Sequence, residues 1–129
     1  MNWVNETVAE WGRQLGLHDW GLGHHGVAQL ELASGGLLAV ELVGMGEEAE
    51  VLVYLGHPMG FDGPRLIRQA LRRVHHSNAG ALSVQVACQE VDGQPRLLTL
   101  TRMPARGFTL QTLEHAVDYL TRWWDGARA

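Results

Sequence analysis

The chain has 129 residues, of which 46% are hydrophobic, and a formal net charge of -4 at pH 7. This length matches a single domain, and the apolar content is sufficient for a packed core, so a mainly disordered chain is excluded. We therefore predict one domain over residues 1–129. The ten basic residues are all arginines and face fourteen acidic residues, a balance that argues against a protein that follows nucleic-acid phosphates.

The sequence carries no signal for a membrane span or for disulfide chemistry. No apolar run reaches the roughly 18 residues of a spanning helix, and the first residues lack the basic start of a signal peptide, so we expect a soluble, cytoplasmic chain. Cys88 is the single cysteine, which leaves no partner for an internal disulfide. Its place after Leu82, Val84 and Val86 in an alternating series predicts a small residue packed in the core or in an interface.

A first helix is predicted over residues 2–15, where Val4, Val8, Trp11 and Leu15 follow one another at spacings of four, three and four. Gly16 is expected to end this helix, because glycine readily adopts the left-handed conformation found after helix ends. Residues 16–26 are rich in glycine and histidine and are predicted to form a loop.

Three strands are predicted next, because the apolar period changes to two. They cover residues 27–32, 37–43 and 49–55, and the glycine-containing turns at 34–36 and 44–46 separate them. In the third strand, apolar residues lie on both faces. Such short connections indicate an antiparallel meander.

The second half of the chain is predicted to hold two helices and a hairpin. One helix begins at Pro64 and ends before Ser77, with an apolar stripe on one face and four arginines on the other. Strands over residues 82–91 and 96–103 are joined through the turn dipeptide Asp92-Gly93. Thr109 is the expected cap of the last helix, whose inner stripe is Leu113, Val117, Leu120 and Trp124.

The resulting order, α-β-β-β-α-β-β-α, groups strands together instead of alternating them with helices. This grouping indicates an α+β fold in which three helices pack against a twisted antiparallel sheet.

Patterns that would indicate catalysis or metal binding are weak. Residues 21–26 spell GxGxxG, but they follow a helix and open a strand, the reverse of a dinucleotide site. Neighbouring histidines at 24–25 and 75–76 point in different directions, which is poor ligand geometry, and no serine lies in a GxSxG elbow. We therefore expect no catalytic residue, no metal and no cofactor.

The chain holds more apolar and aromatic side chains than a small sheet needs to cover. It has five tryptophans, and charged residues make up 19% where about 25% is usual. Adjacent Trp123 and Trp124 are not expected to face the same way, and Trp3 lies off the stripe of the first helix. Uncovered apolar surface normally marks a partner site, with core packing as the alternative for each tryptophan.

Several local sequences, together with the element order, resemble a known family. These are MNWV at residues 1–4, QLGL at 14–17, QLELASGGLL at 29–38 and SNAGAL at 77–82. The chain is similar to the class I type III secretion chaperones, and among them to the SycN type that serves the secretion gatekeeper. The likeness covers nearly the whole chain.

The resemblance implies a small dimer that binds the N-terminal region of a secreted gatekeeper or effector protein and keeps it soluble and ready for export. The expected partner chain is a second class I chaperone, with a homodimer as the alternative. The implied location is the bacterial cytoplasm, with peripheral association at the inner membrane during secretion. A client can bind such a protein in extended form by adding a strand to a sheet edge.

The resemblance also assigns two sets of residues. The second helix and the strand after it are expected to form the dimer interface through Leu66, Ile67, Ala70, Leu71, Val74, Leu82, Val84 and Val86. The first helix and the outer sheet are expected to form the client grooves through Trp3, Val4, Val8, Trp11, Leu30, Leu38 and Val53.

Two other classes of function remain open from the residues alone. An α+β module that binds a small ligand or another protein, without a role in secretion, predicts a closed internal pocket. An enzyme would depend on His24, His25 or Cys88.

Overall fold

The computed structural model describes residues 2–77, 82–91 and 93–128, and the side chains within those ranges except at residues 2, 75–77, 91 and 128. The sequence predicts a break at residues 77–80, of which 78–80 lie outside what is described, as do Asp92 of the hairpin turn and the side chains of the histidine pair at 75–76.

Three helices and five strands follow one another in the predicted order. They are α1 (Asn2–Gln14), β1 (Val27–Glu31), β2 (Leu37–Val43), β3 (Glu50–Pro58), α2 (Gly63–Ser77), β4 (Gln85–Val91), β5 (Gln94–Pro104) and α3 (Leu110–Arg128). The α+β fold predicted from the sequence is therefore confirmed.

The five strands form one antiparallel sheet in the order β1-β2-β3-β5-β4. β3 lies at the centre, where Val53 pairs with Val40 of β2 and with Thr101 of β5. β3 extends to Pro58, beyond the predicted end at residue 55, because pairing with β5 continues as far as Arg96. β1 and β4 are the two edge strands.

One face of the sheet is covered by the helices and holds the core. Ala28, Val40, Val53 and Leu97 alternate inward from four strands and are at most 2% exposed. The stripe of α3 packs on β3 and β5, with α2 beside it, and Val4 and Val8 of α1 belong to the same cluster. The alternation in the sequence thus identifies the buried face correctly.

The helix ends have the predicted local causes. Thr109 Oγ1 accepts a hydrogen bond from the Thr112 backbone N–H at 3.1 Å, which caps α3. Gly16 has a φ of 82°, so it takes the left-handed conformation that follows α1.

The prediction that Trp123 and Trp124 do not face the same way is confirmed, and core packing buries both rings, at 4% and 8% exposure. Trp123 lies against α2, where the Arg73 guanidinium sits 5.6 Å from the ring centre. Trp124 stacks on His57 of β3 at 3.8 Å between ring centres. Two different elements therefore cover two adjacent positions of α3.

Candidate binding surfaces

The eight residues predicted for the dimer interface divide into three groups in the structure. Leu66, Ala70 and Val84 are at most 9% exposed and belong to the core of the chain itself. Ile67, Val74, Leu82 and Val86 are partly buried against that core, and Leu71 is 53% exposed. The apolar stripe of α2 is broad, so one edge packs inward while Leu71 at the other edge stays in solvent.

Cys88 is exposed on the edge strand β4, so its predicted place in the core is wrong. It pairs with Leu97 and lies on the helix-facing side of the sheet. The alternation of the strand continues to Cys88, but this position of the edge strand is left in solvent. A place for Cys88 in an interface stays a prediction.

Of the seven residues predicted for client grooves, five are buried within the chain. Val4, Val8, Trp11, Leu38 and Val53 are at most 6% exposed, because they belong to the hydrophobic core of the chain itself. The apolar stripe of an amphipathic helix normally faces the core, which explains why the sequence pattern selects these positions. Leu30 is partly buried, and Trp3 is 46% exposed.

Trp3 is the most accessible of these predicted client residues and lies in a definable surface. Its indole N–H donates to the Ala105 carbonyl at 3.3 Å, which fixes the ring at the surface. Trp3, Glu47 and Arg106 line a cleft of about 560 Å³, and Met45, 86% exposed, lies on the turn beside it. We call Trp3, Met45, Glu47 and Arg106 the Trp3 patch.

Met45 and Phe61 are large apolar side chains left in solvent, and the sequence patterns predicted a function for neither. Phe61 is fully exposed in the loop between β3 and α2. The sequence does contain a signal for them: each is a large apolar residue in a glycine-containing turn or loop, where it cannot pack as part of a strand or a helix.

The edge of β1 is partly closed by the preceding loop. The Trp20 indole N–H donates to the Gln29 carbonyl at 2.8 Å, and the Val27 N–H donates to the Leu22 carbonyl at 2.9 Å. The Gln29 carbonyl and the Val27 N–H lie on the side of β1 that faces away from β2. An added strand would bind on this side. Covering an edge in this way prevents unselective pairing, so a client strand at β1 must first displace Trp20.

The sheet face opposite the helices carries a polar centre. Gln29 of β1, Tyr54 of β3 and Gln89 of β4 line one open cavity of about 460 Å³ on this face. The Tyr54 hydroxyl donates to Glu41 Oε1 at 3.3 Å. Burial first, and the Glu41 charge second, raise the pKa of Tyr54 above its usual value.

A second cleft, of about 440 Å³, lies where β3 meets α2 and α3. His57 and Trp124 stack in this cleft, and His57 Nε2 lies 3.3 Å from Thr99 Oγ1. Asp62 and Arg65 form an ion pair among its lining residues. The cleft opens to solvent, so it differs from the closed pocket expected of a small-ligand module.

No group of three or more His, Cys, Asp or Glu side chains among the described residues is placed to hold a metal ion. His24 and His25 are both exposed in the loop before β1. Within the described part of the chain, no helix is long and apolar enough to cross a bilayer.

Solved structures of low sequence identity share this fold. A chain of the HopA1-SchA chaperone-effector complex matches with a TM-score of 0.65 and 19% identity over 95% of this chain and 91% of that chain. A chain of the ExsC-ExsE complex matches with a TM-score of 0.66 and 20% identity over 94% and 87%. A chain of the Yersinia pestis type III secretion chaperone SycH in complex with a fragment of YscM2 matches with a TM-score of 0.63 and 12% identity over 96% and 98%.

No protein-family model matches the sequence, and no curated protein sequence matches it. At 12–20% identity, the structural likenesses establish a shared fold over nearly the whole length of each chain. The fold that the sequence resemblance implied is therefore confirmed.

Proposed function

We propose that this protein is a cytoplasmic type III secretion chaperone that binds the N-terminal region of a secreted protein and keeps it soluble and competent for export. The observation that supports this function most is the fold. Over 94–96% of its length this chain is similar to chains of a chaperone-effector complex, of the ExsC-ExsE complex and of a complex of the type III secretion chaperone SycH. The protein acts by binding, without an enzymatic step.

The Trp3 patch is our proposed client site. Tryptophan, methionine and arginine are enriched where binding energy concentrates in interfaces, and a ring held by a backbone hydrogen bond loses little freedom on binding. Glu47 and Arg106 provide charges of both signs at the rim of the patch. Leu30 of β1 is a separate proposed client contact, where displacement of Trp20 opens the sheet edge to an extended segment.

The exposed side of α2 and the adjoining part of β4 form our proposed dimer interface. Leu71 is exposed, and Ile67, Val74 and Val86 border it with partly exposed apolar area. A second chain that covers Leu71 buries this area continuously with the core beneath it. Leu66, Ala70 and Val84 then support the interface from within the chain.

The finer assignments rest on the sequence resemblance. We propose a gatekeeper client and a heterodimer with a second class I chaperone, because QLELASGGLL at 29–38 and SNAGAL at 77–82 are similar to the SycN type. Association with the inner membrane during secretion stays a prediction.

Coexpression tests this function directly. The tagged chain is produced with N-terminal segments of about 100 residues from gatekeeper and effector proteins of a type III secretion system, alone and with a second class I chaperone. We expect one such segment to become soluble and to copurify in a fixed ratio. The folded C-terminal domain of the same secreted protein is the matched control and should not copurify.

A chain that stays monomeric under every coexpression, and that captures none of these N-terminal segments, would contradict the proposed function.

A further inference from the structure

A concentrated positive charge lies on α2. This helix holds four arginines and no acidic residue, whereas the rest of the chain holds six arginines against fourteen acidic residues. The helix is therefore strongly positive on a chain whose net charge is -4. A local charge opposite in sign to the whole molecule steers association toward an acidic surface.

Two of these arginines have partners inside the chain. Arg65 forms an ion pair with Asp62 at 3.1 Å, and Arg73 lies over the Trp123 ring. Arg68 and Arg72 are exposed, and neither forms an ion pair with any described acidic side chain. Positive charge on these two side chains is thus available to a partner.

Helical spacing places both charges next to the exposed apolar residue of the same helix. Arg68 and Arg72 are four residues apart, and Leu71 lies between them in sequence. Ala70, fully buried, marks the side that faces the core. At about 100° per residue, Arg68 and Arg72 each lie about 160° around the helix from Ala70, and Leu71 lies about 60° from Arg68 and about 100° from Arg72. A chain that covers Leu71 must therefore approach Arg68 and Arg72.

We infer that Arg68 and Arg72 select the partner chain: α2 docks on a chain that presents acidic side chains there, and disfavours a second copy of this one. The inference rests on the proposed function, whose dimer uses this surface. A twofold dimer brings the same patch of each copy together, so the arginines of both copies would lie in one interface. Like charges in apposition suppress such a pair, while an acidic partner is attracted.

A charge-reversed copy of this chain serves as the probe for an acidic partner. Wild type and the double variant Arg68→Glu, Arg72→Glu are measured separately and as an equimolar mixture by sedimentation and native mass spectrometry. We expect the mixture to form a 1:1 pair about tenfold or more tighter than either chain forms with itself. This preference should shrink between 50 and 500 mM salt, because the Debye length falls from about 14 Å to about 4 Å.

The matched control makes the same change in total charge elsewhere. Arg13 of α1 and Arg122 of α3 are exposed and pair with Glu10 and Asp118 of their own helices. The variant Arg13→Glu, Arg122→Glu should therefore pair with wild type no better than wild type pairs with itself. Equal thermal midpoints of the two double variants, measured by circular dichroism, show that both are folded.

Tight, salt-independent self-association of wild type would overturn the inference. The inference would also be overturned if wild type bound the α2 variant no more tightly than either chain binds itself. Capture of a secreted N-terminal segment is measured separately, so either result can stand with client binding intact. Loss of client binding with the charge preference retained would overturn the proposed function alone.

Discussion

Gly12 lies directly beneath the Trp20 ring, and a Cβ added to it would come within 2.8 Å of Trp20 Cε3. The same ring packs near Trp11, with 5.8 Å between ring centres, and its N–H binds Gln29. Trp20 is therefore held from three sides. This arrangement keeps a tryptophan of the glycine-rich loop against α1 and over the edge of β1.

The contact between Gly12 and the Trp20 ring determines whether a substitution of Gly12 stabilises or destabilises the chain. Alanine stabilises an exposed helix interior by up to about 1 kcal/mol relative to glycine, but overpacking costs about 1–3 kcal/mol. We expect Gly12→Ala to lower the free energy of unfolding by about 1 kcal/mol in wild type and to raise it in a Trp20→Ala background. Urea unfolding of the four proteins measures this cycle, and the same sign in both backgrounds would refute the contact.

Tyr54 gives a second prediction, for alkaline pH. Since burial and Glu41 raise its pKa in the folded chain above the ordinary value of 10.0, the folded state keeps a proton that the unfolded state has lost. This contribution to stability is complete below pH 10 and is lost as the pH rises through the folded pKa. The chain has no lysine, so few other groups titrate there.

We expect stability to fall from pH 9.5 to 11.5 in urea unfolding, and to fall less in Tyr54→Phe. Equal losses in the two proteins would show that Tyr54 does not carry this dependence.

At the scale of elements, two substitutions that look equivalent in sequence should behave differently. Leu71 on α2 is 53% exposed, whereas Val84 before β4 is 3% exposed within the chain. We expect Leu71→Asp to keep the thermal midpoint and to lose dimer or partner-chain binding. Val84→Asp should lower the free energy of unfolding by about 3 kcal/mol or more, because it buries an unpaired charge.

Sedimentation with a coexpressed partner chaperone and thermal unfolding separate these outcomes. Unchanged partner binding in Leu71→Asp would place the interface elsewhere, and a stable Val84→Asp would contradict the burial.

The order of elements follows from local signals in the sequence. Alternation of apolar residues marks the strands, and the helical period marks α1 to α3. Gly16 marks the end of α1, and Thr109 marks the start of α3. The length of β3 does not follow from local signals, because the end of this strand is fixed by pairing with Arg96, which is distant in sequence. Helical period also finds an apolar stripe without showing which edge is covered, hence the different burial of Ala70 and Leu71.

At the scale of the whole molecule, the candidate site depends on how distant segments meet. Trp3 is left exposed while Trp124 is buried, because His57 of β3 covers the second ring. The Trp3 patch joins the start of α1, the turn after β2 and the segment after β5. No local pattern connects these three segments, so sequence could propose Trp3 but not its neighbours.

The central claim is that the Trp3 patch binds a secreted N-terminal segment by burying apolar surface. Calorimetric titration of the captured segment into wild type, Trp3→Ala and Phe61→Ala tests it most directly, with exposed Phe61 outside the patch as the matched control. We expect a negative heat-capacity change for wild type, about 30-fold weaker binding for Trp3→Ala, and unchanged binding for Phe61→Ala. Equal affinities for wild type and Trp3→Ala, or no heat-capacity change, would contradict it.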